Sequence, residues 1–125
     1  MPNTKRIDIT DRTFDFATRI VKLCKSLNSL SADNRSISNQ LLRAGTSVGA
    51  NVEEAQSGQS KADFAAKIYI ACKEARETNY WLRLLVSAQI VEKQKLDSLI
   101  RESKELIAIL TTITKKALPR IQSQK

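Results

Sequence analysis

"QLLRAGTSVGANVEEA", residues 40–55, has the spacing of a helix yet carries two glycines four positions apart, Gly45 and Gly49. Leu41, Ala44, Val48, Val52 and Ala55 recur in steps of three and four, which places them on one apolar face. A glycine inside a helix costs about 0.5–1 kcal/mol relative to alanine. That loss is offset where the missing side chain lets something approach the backbone: a neighbouring helix, a second subunit, or a ligand. Arg43, Asn51 and Glu54 stand beside the same stripe, so ionic and polar groups lie close to a core.

Working outward, the pattern repeats on both sides. Upstream, Thr10 or Asp11 offers a cap, and Phe16, Ile20, Leu23, Leu27 and Leu30 form a heptad-like stripe widened by Phe14, Ala17, Val21 and Cys24. "SLSADN", residues 29–34, breaks it. Downstream, "SGQSKADF" supplies Gly58 as a stop, and Ser60 with Asp63 in the spacing of a capping box. A third stripe follows: Phe64, Ile68, Ala71, Ala75, Leu82 and Leu85, broadened by Ala65, Tyr69, Cys72, Trp81 and Leu84. After a short link at 91–94 come Leu96, Leu99, Ser103, Leu106, Leu110, Ile113 and Ala117, and Pro119 ends the run before a basic tail. The spacing predicts helices over about 11–30, 35–57, 61–90 and 95–118. Short links make neighbours antiparallel. The expected fold is all-α, an up-down-up-down four-helix bundle in a single domain spanning 1–125.

Composition narrows the chemistry. Three glycines and two prolines in 125 residues disfavour turn-rich β folds. Histidine is absent, which removes the commonest general base and neutral metal ligand. A bundle-type di-iron site needs Glu-x-x-His pairs, so no metal site and no cofactor is expected. No phosphate-cradling glycine loop and no nucleophile elbow is present. Cys24 and Cys72 both lie on apolar stripes, as small buried thiols in a reducing compartment would. No apolar run approaches the ~20 residues needed to span a bilayer, and "MPNTKRIDIT" lacks a signal-peptide core. The expectation is a soluble, cytoplasmic protein without membrane association.

The net charge of +8 is uneven. Residues 1–35 carry +3, residues 36–92 balance, and residues 93–125 carry +5. A surplus at both ends suits a polyanion, although solubility alone also accounts for it. The candidate phosphate contacts are Arg12, Arg19, Lys22 and Lys25 on the first helix, with Lys115, Lys116, Arg120 and Lys125 at the far end.

The central charges read differently. Arg43, Asn51, Glu54, Lys73, Glu74, Arg76 and Glu77 have the placement to pair between the second and third helices, where buried or half-buried ions fix register or assembly. A plain solvated face is the alternative. A catalytic carboxylate pair is the weakest reading, because acid–base work needs a geometry that spacing cannot supply. Trp81 and Tyr80 are apolar packing surface or, alternatively, platforms for a base.

Taken together, "QLLRAGTSVGANVEEA", "DFAAKIYIACKEARETNYWLRLL" and "LIRESKELIAILTTI" resemble the bacterial four-helix-bundle proteins of the 23S rRNA intervening-sequence family. The likeness runs from about residue 15 to 113 and is densest at 40–55 and 73–85. Matching signature positions are Arg43, Gly45, Gly49, Asn51, Glu54, Lys73, Glu74, Glu77, Tyr80, Trp81 and Leu82. Glu53 stands where the pattern favours a small residue. The resemblance implies a cytoplasmic, ring-like homopentamer with no established enzymatic activity. It also implies kinship with accessory proteins of diversity-generating retroelements, which are associated with nucleic acid and a reverse transcriptase.

Three function classes follow. The first is a non-enzymatic homo-oligomer, a pentamer on the resemblance, that binds RNA or DNA through its basic surface. The second is a scaffold or accessory subunit for a reverse transcriptase or other protein, in which the interface set Arg43, Gly45, Gly49, Asn51, Glu54, Glu74, Glu77 and Trp81 matters more. The third, an enzyme relying on Glu54 or Cys72, has the least support, and no catalytic residue is assigned.

Overall fold

The computed structural model describes residues 8–118. Four long helices fill that span: α1 (Ile9–Leu30), α2 (Arg35–Gln56), α3 (Lys61–Ser87) and α4 (Lys93–Ala117). No strand occurs among the described residues. Arg120 and Lys125, two of the candidate phosphate contacts, lie outside them.

α1 and α3 start where a side chain satisfies an orphan backbone N–H, whereas α2 and α4 begin without a side-chain cap. Asp8, one turn earlier than Thr10 or Asp11, caps α1 by accepting from the Thr10 amide at 3.1 Å. Ser31 accepts from Asp33 and opens a single 3-10 turn, Ala32–Asn34, which carries the chain from α1 to α2. Ser60 accepts from the Asp63 amide at 3.1 Å, so the Ser half of the expected capping box is in place. Gly58 closes α2, its N–H donating to Ala55 O at 3.0 Å, but without a positive φ. Its glycine is a matter of space: a Cβ there would sit 3.1 Å from Ala55 O and 3.2 Å from Phe64 N.

The pairings fix the topology. Ile20 meets Gly45 and Thr13 meets Gly49. Asn79 meets Ser103 while Cys72 meets Thr111. Arg12 meets Glu102 and Arg19 meets Ser98. In every case one residue number rises as its partner's falls, so neighbouring helices are antiparallel and the fold is an up-down-up-down bundle. Its core runs the length of the molecule, with Phe16, Ile20, Leu41, Val48, Val52, Ile68, Leu82, Leu85, Leu106 and Leu110 fully buried.

Packing around the ring is unequal. The consecutive pairs α1–α2, α2–α3 and α3–α4 pack closely, whereas α1 and α4 approach at few points. A helix with one close neighbour buries a narrow seam. Phe14 and Val21, which widened the first stripe in the sequence, and Leu30, its last member, are accordingly exposed. Tyr69 of α3 is exposed too, on the side turned away from α2.

Both glycines of the opening stretch face α1. A Cβ on Gly45 would lie 2.7 Å from Ile20 Cγ2, inside contact distance of a β-branched, fully buried side chain. A Cβ on Gly49 would lie 3.1 Å from the Thr13 carbonyl oxygen. The bare backbone of α2 is therefore filled by α1 of the same chain, and neither glycine is left open to a ligand.

Candidate functional site

The charges near the core assemble into a seam between α2 and α3. Arg43, on the outer edge of α2, donates to Glu74 at 3.1 Å and to Glu77. Glu77 also accepts from the Trp81 indole at 3.0 Å, one turn further along α3. The guanidinium and the indole together hold the Glu77 carboxyl below its ordinary range, Arg43 having the larger effect. Trp81 in turn meets Tyr80 edge to face, centroids 5.1 Å apart. Arg43 is about half exposed, so the seam sets register between two helices more than it adds stability.

The other members of the expected network do not join it. The Asn51 amide donates to Ser47 O of its own helix at 2.9 Å. Glu54 is exposed and has no ion-pair partner among the described residues. Lys73 and Arg76 are exposed on α3 and enter no ion pair among the described residues.

A second polar seam, invisible in the spacing, ties α3 to α4. Arg83 donates to Asn79 Oδ1 at 2.8 Å, and the Asn79 amide donates to Ser103 Oγ at 2.9 Å. The Ser103 hydroxyl donates to Ile100 O at 2.7 Å, which leaves the buried chain satisfied throughout. Both cysteines are free and buried. Cys24 contacts Ser38 O, and burial pushes its thiol pKa up, away from the reactive thiolate. No group of three or more Cys, Asp or Glu side chains converges in a metal-holding arrangement among the described residues.

The predicted phosphate contacts separate. Arg12 forms a fork with Glu102, at 2.6 Å and 3.0 Å, and reaches Glu105 at 2.9 Å, which raises its pKa further. It is the main tie between α1 and α4 and has little left for a phosphate. Arg19 donates to Ser98 Oγ at 2.7 Å. Lys22 and Lys25 are exposed near the end of α1. Lys115 and Lys116 occupy the last turn of α4, where a cation complements the helix dipole. Antiparallel pairing puts the two lysine pairs at opposite ends of the bundle, roughly 30 Å apart at 1.5 Å per residue. They do not make one patch.

Two features of the surface escaped the spacing analysis. Arg19, Lys22 and Lys95 rim a groove of about 410 Å³ between α1 and the start of α4, floored by leucines including Leu23, Leu27 and Leu96. On α3, Tyr69, Lys73, Arg76, Tyr80 and Arg83 form an exposed stripe beside α4. Their positions step by four, three, four and three, a helical period that could be found in "YIACKEARETNYWLR" by asking for aromatic and basic residues instead of apolar ones.

Fold and site together define an antiparallel four-helix-bundle protein whose buried polar side chains are satisfied within helices or at the seams between them. The family model for 23S rRNA-intervening sequence protein matches residues 5–112, and the chain belongs to that family. A crystal structure of a protein of unknown function, from the S23 ribosomal protein family of Bacteroides thetaiotaomicron VPI-5482, is 42% identical with a TM-score of 0.82. The match covers 86% of this chain and 99% of that one. No curated protein matches the sequence. No helix among the described residues is long and apolar enough to cross a membrane.

Proposed function

We propose that the protein is a non-catalytic homo-oligomer, a pentamer on its family resemblance, that binds RNA or DNA in the cytoplasm. One observation carries this reading: the fold does not absorb the charge surplus. Among the described residues only Arg12, Arg43, Lys93 and Lys95 enter ion pairs, and these already engage Glu74, Glu77, Glu92, Asp97, Glu102 and Glu105. Most of the remaining described basic side chains are exposed, Arg19 and Lys67 being half-buried, and a surface of unpaired cations exchanges its counterions for phosphates. Binding is tolerant of sequence and falls steeply with salt. Filter binding with RNA and DNA at two salt concentrations tests it. Equally weak retention at both, with micromolar protein, removes the proposal.

The groove between α1 and α4 favours a second reading, a scaffold that holds a partner protein such as a reverse transcriptase. An apolar floor with a basic rim suits an amphipathic segment with acidic flanks. Under that reading Leu23→Asp abolishes partner capture and leaves nucleic-acid retention intact. Retained capture by that variant eliminates the groove as the docking point.

A further inference from the structure

We infer that the outward face of α3, with the adjoining edge of α4, is a stacking track for single-stranded nucleic acid; this rests on the nucleic-acid reading above. Tyr69 is 53% exposed and Tyr80 49%, which is unusual for two large aromatics on helices that bury every other ring but Phe14 at least in part. They stand eleven positions apart, about 16 Å along the helix axis. Lys73 and Arg76 lie between them, and Arg83 lies beyond Tyr80 with its guanidinium carbon 6.0 Å from the ring centroid.

α4 continues the track. Lys115 shares a pocket of about 220 Å³ with Tyr69, Arg76, Thr111 and Thr114. Lys104 falls on the same face of α4 as Thr111, seven residues away. Lys73, Arg76, Lys104 and Lys115 are exposed and have no acidic partner among the described residues. Glu74 and Glu77, the nearest acids of α3, are both held by Arg43, although Glu77 stands one turn from Lys73 at the edge of this face. The face thus sets exposed cations between and beyond two exposed rings, and the acid at its edge is already paired.

These are the two elements that sequence-tolerant single-strand binding uses: cations that follow the backbone and flat rings on which bases stack. A duplex offers the phosphates but keeps its bases inside, so it gains nothing from the tyrosines. The tyrosines, not the lysines, therefore give the track its preference for unpaired strands. Thr111 and Thr114 line the pocket beside Tyr69, their hydroxyls already engaged with Cys72 Sγ and Leu110 O, and oligo(U) against oligo(dT) shows whether the track senses a ribose 2′-hydroxyl.

Fluorescence anisotropy with oligo(U), oligo(dT) and a blunt duplex tests the assignment on the full chain. Tyr69→Ala combined with Tyr80→Ala is expected to weaken single-strand binding about tenfold or more, with duplex binding unchanged. The corresponding Phe pair keeps the rings and binds like the unaltered protein. Photocrosslinking of 5-iodouracil oligonucleotides to the unaltered protein gives a readout that needs no variant, and crosslinks at Tyr69 or Tyr80 are expected. Crosslinks confined to α1 or the last turn of α4, or an Ala pair that binds single strands normally, overturn the track while leaving nucleic-acid binding in place. Absence of binding to every probe at low salt overturns both.

Discussion

At the scale of single residues, Gly45 decides how close α1 and α2 come. Alanine there gains about 1 kcal/mol of helix propensity. It also drives a methyl group to 2.7 Å from Ile20 Cγ2, and overpacking of a filled core costs typically about 1–3 kcal/mol. We expect Gly45→Ala to destabilise the fold by up to about 2 kcal/mol in urea unfolding. Combining it with Ile20→Ala should give less than the sum of the two losses, because the second change removes the clash. Strict additivity would mean that the two residues do not press on each other. Gly49→Ala should cost less, since its nearest atom is 3.1 Å away. The sequence made the need for close approach legible and left its direction open. Ile20, the residue that closes on Gly45, is 25 positions upstream and looks like any other core isoleucine.

Glu77 supplies the pH dependence at this scale. Its folded pKa lies below the ordinary 4.5, first because of Arg43 and then because of the Trp81 indole. A depressed acid stabilises the folded state above its unfolded pKa, and that contribution disappears as the pH falls through the lower folded value. Glu77→Gln should therefore cost stability at pH 7 and progressively less below about pH 4.5. Trp81 is the single tryptophan, so its fluorescence follows the same titration. A stability difference between Glu77→Gln and the unaltered protein that is flat from pH 7 to pH 3 would sink this account.

At the scale of elements, α3 stops at Ser87, three residues before the apolar spacing runs out. Gln89 takes a φ of 62° and donates to Val86 O, while the amides of Ile90 and Val91 both reach back to Leu85 O. The turn is a left-handed helix terminus built without glycine, and no glycine near 89 advertised it. Left-handed backbone costs an ordinary L-residue roughly 1–2 kcal/mol. Gln89→Gly should accordingly stabilise by about 0.5–1 kcal/mol, and Gln89→Val should destabilise by about 1 kcal/mol or more. Thermal unfolding of the pair, read against the unaltered protein, checks the order. Val more stable than Gly at this position would contradict the turn. The starts of helices were more legible than this end, because Ser60 and Asp63 announce a cap by their chemistry. At Gln89 the backbone conformation is imposed by Ile90 and Val91, which pack back onto the core.

For the whole molecule, what the sequence hid is the inequality of the four seams. Apolar stripes of similar strength on all four helices suggest a closed ring, yet α2 and α3 each pack closely against two neighbours while α1 and α4 each pack against one. Spacing within a helix reports that a face is buried, not how many helices share it. The α1–α4 side is held by polar ties: the Arg12 fork to Glu102, its reach to Glu105, and the Arg19 bond to Ser98. Amide exchange should therefore rank α2 and α3 above α1 and α4 in protection, since local opening begins where the fewest apolar contacts must be undone. Arg12→Ala should widen that gap. It strands Glu102, whose side chain is only 20% exposed, and a carboxylate left without its partner is costly to keep there. Protection should drop in the first half of α1 and the middle of α4, where Arg12 and its partners lie, and change little in α2. If exchange instead rises evenly along all four helices, the tie belongs to global stability and the α1–α4 side is not a separate opening unit.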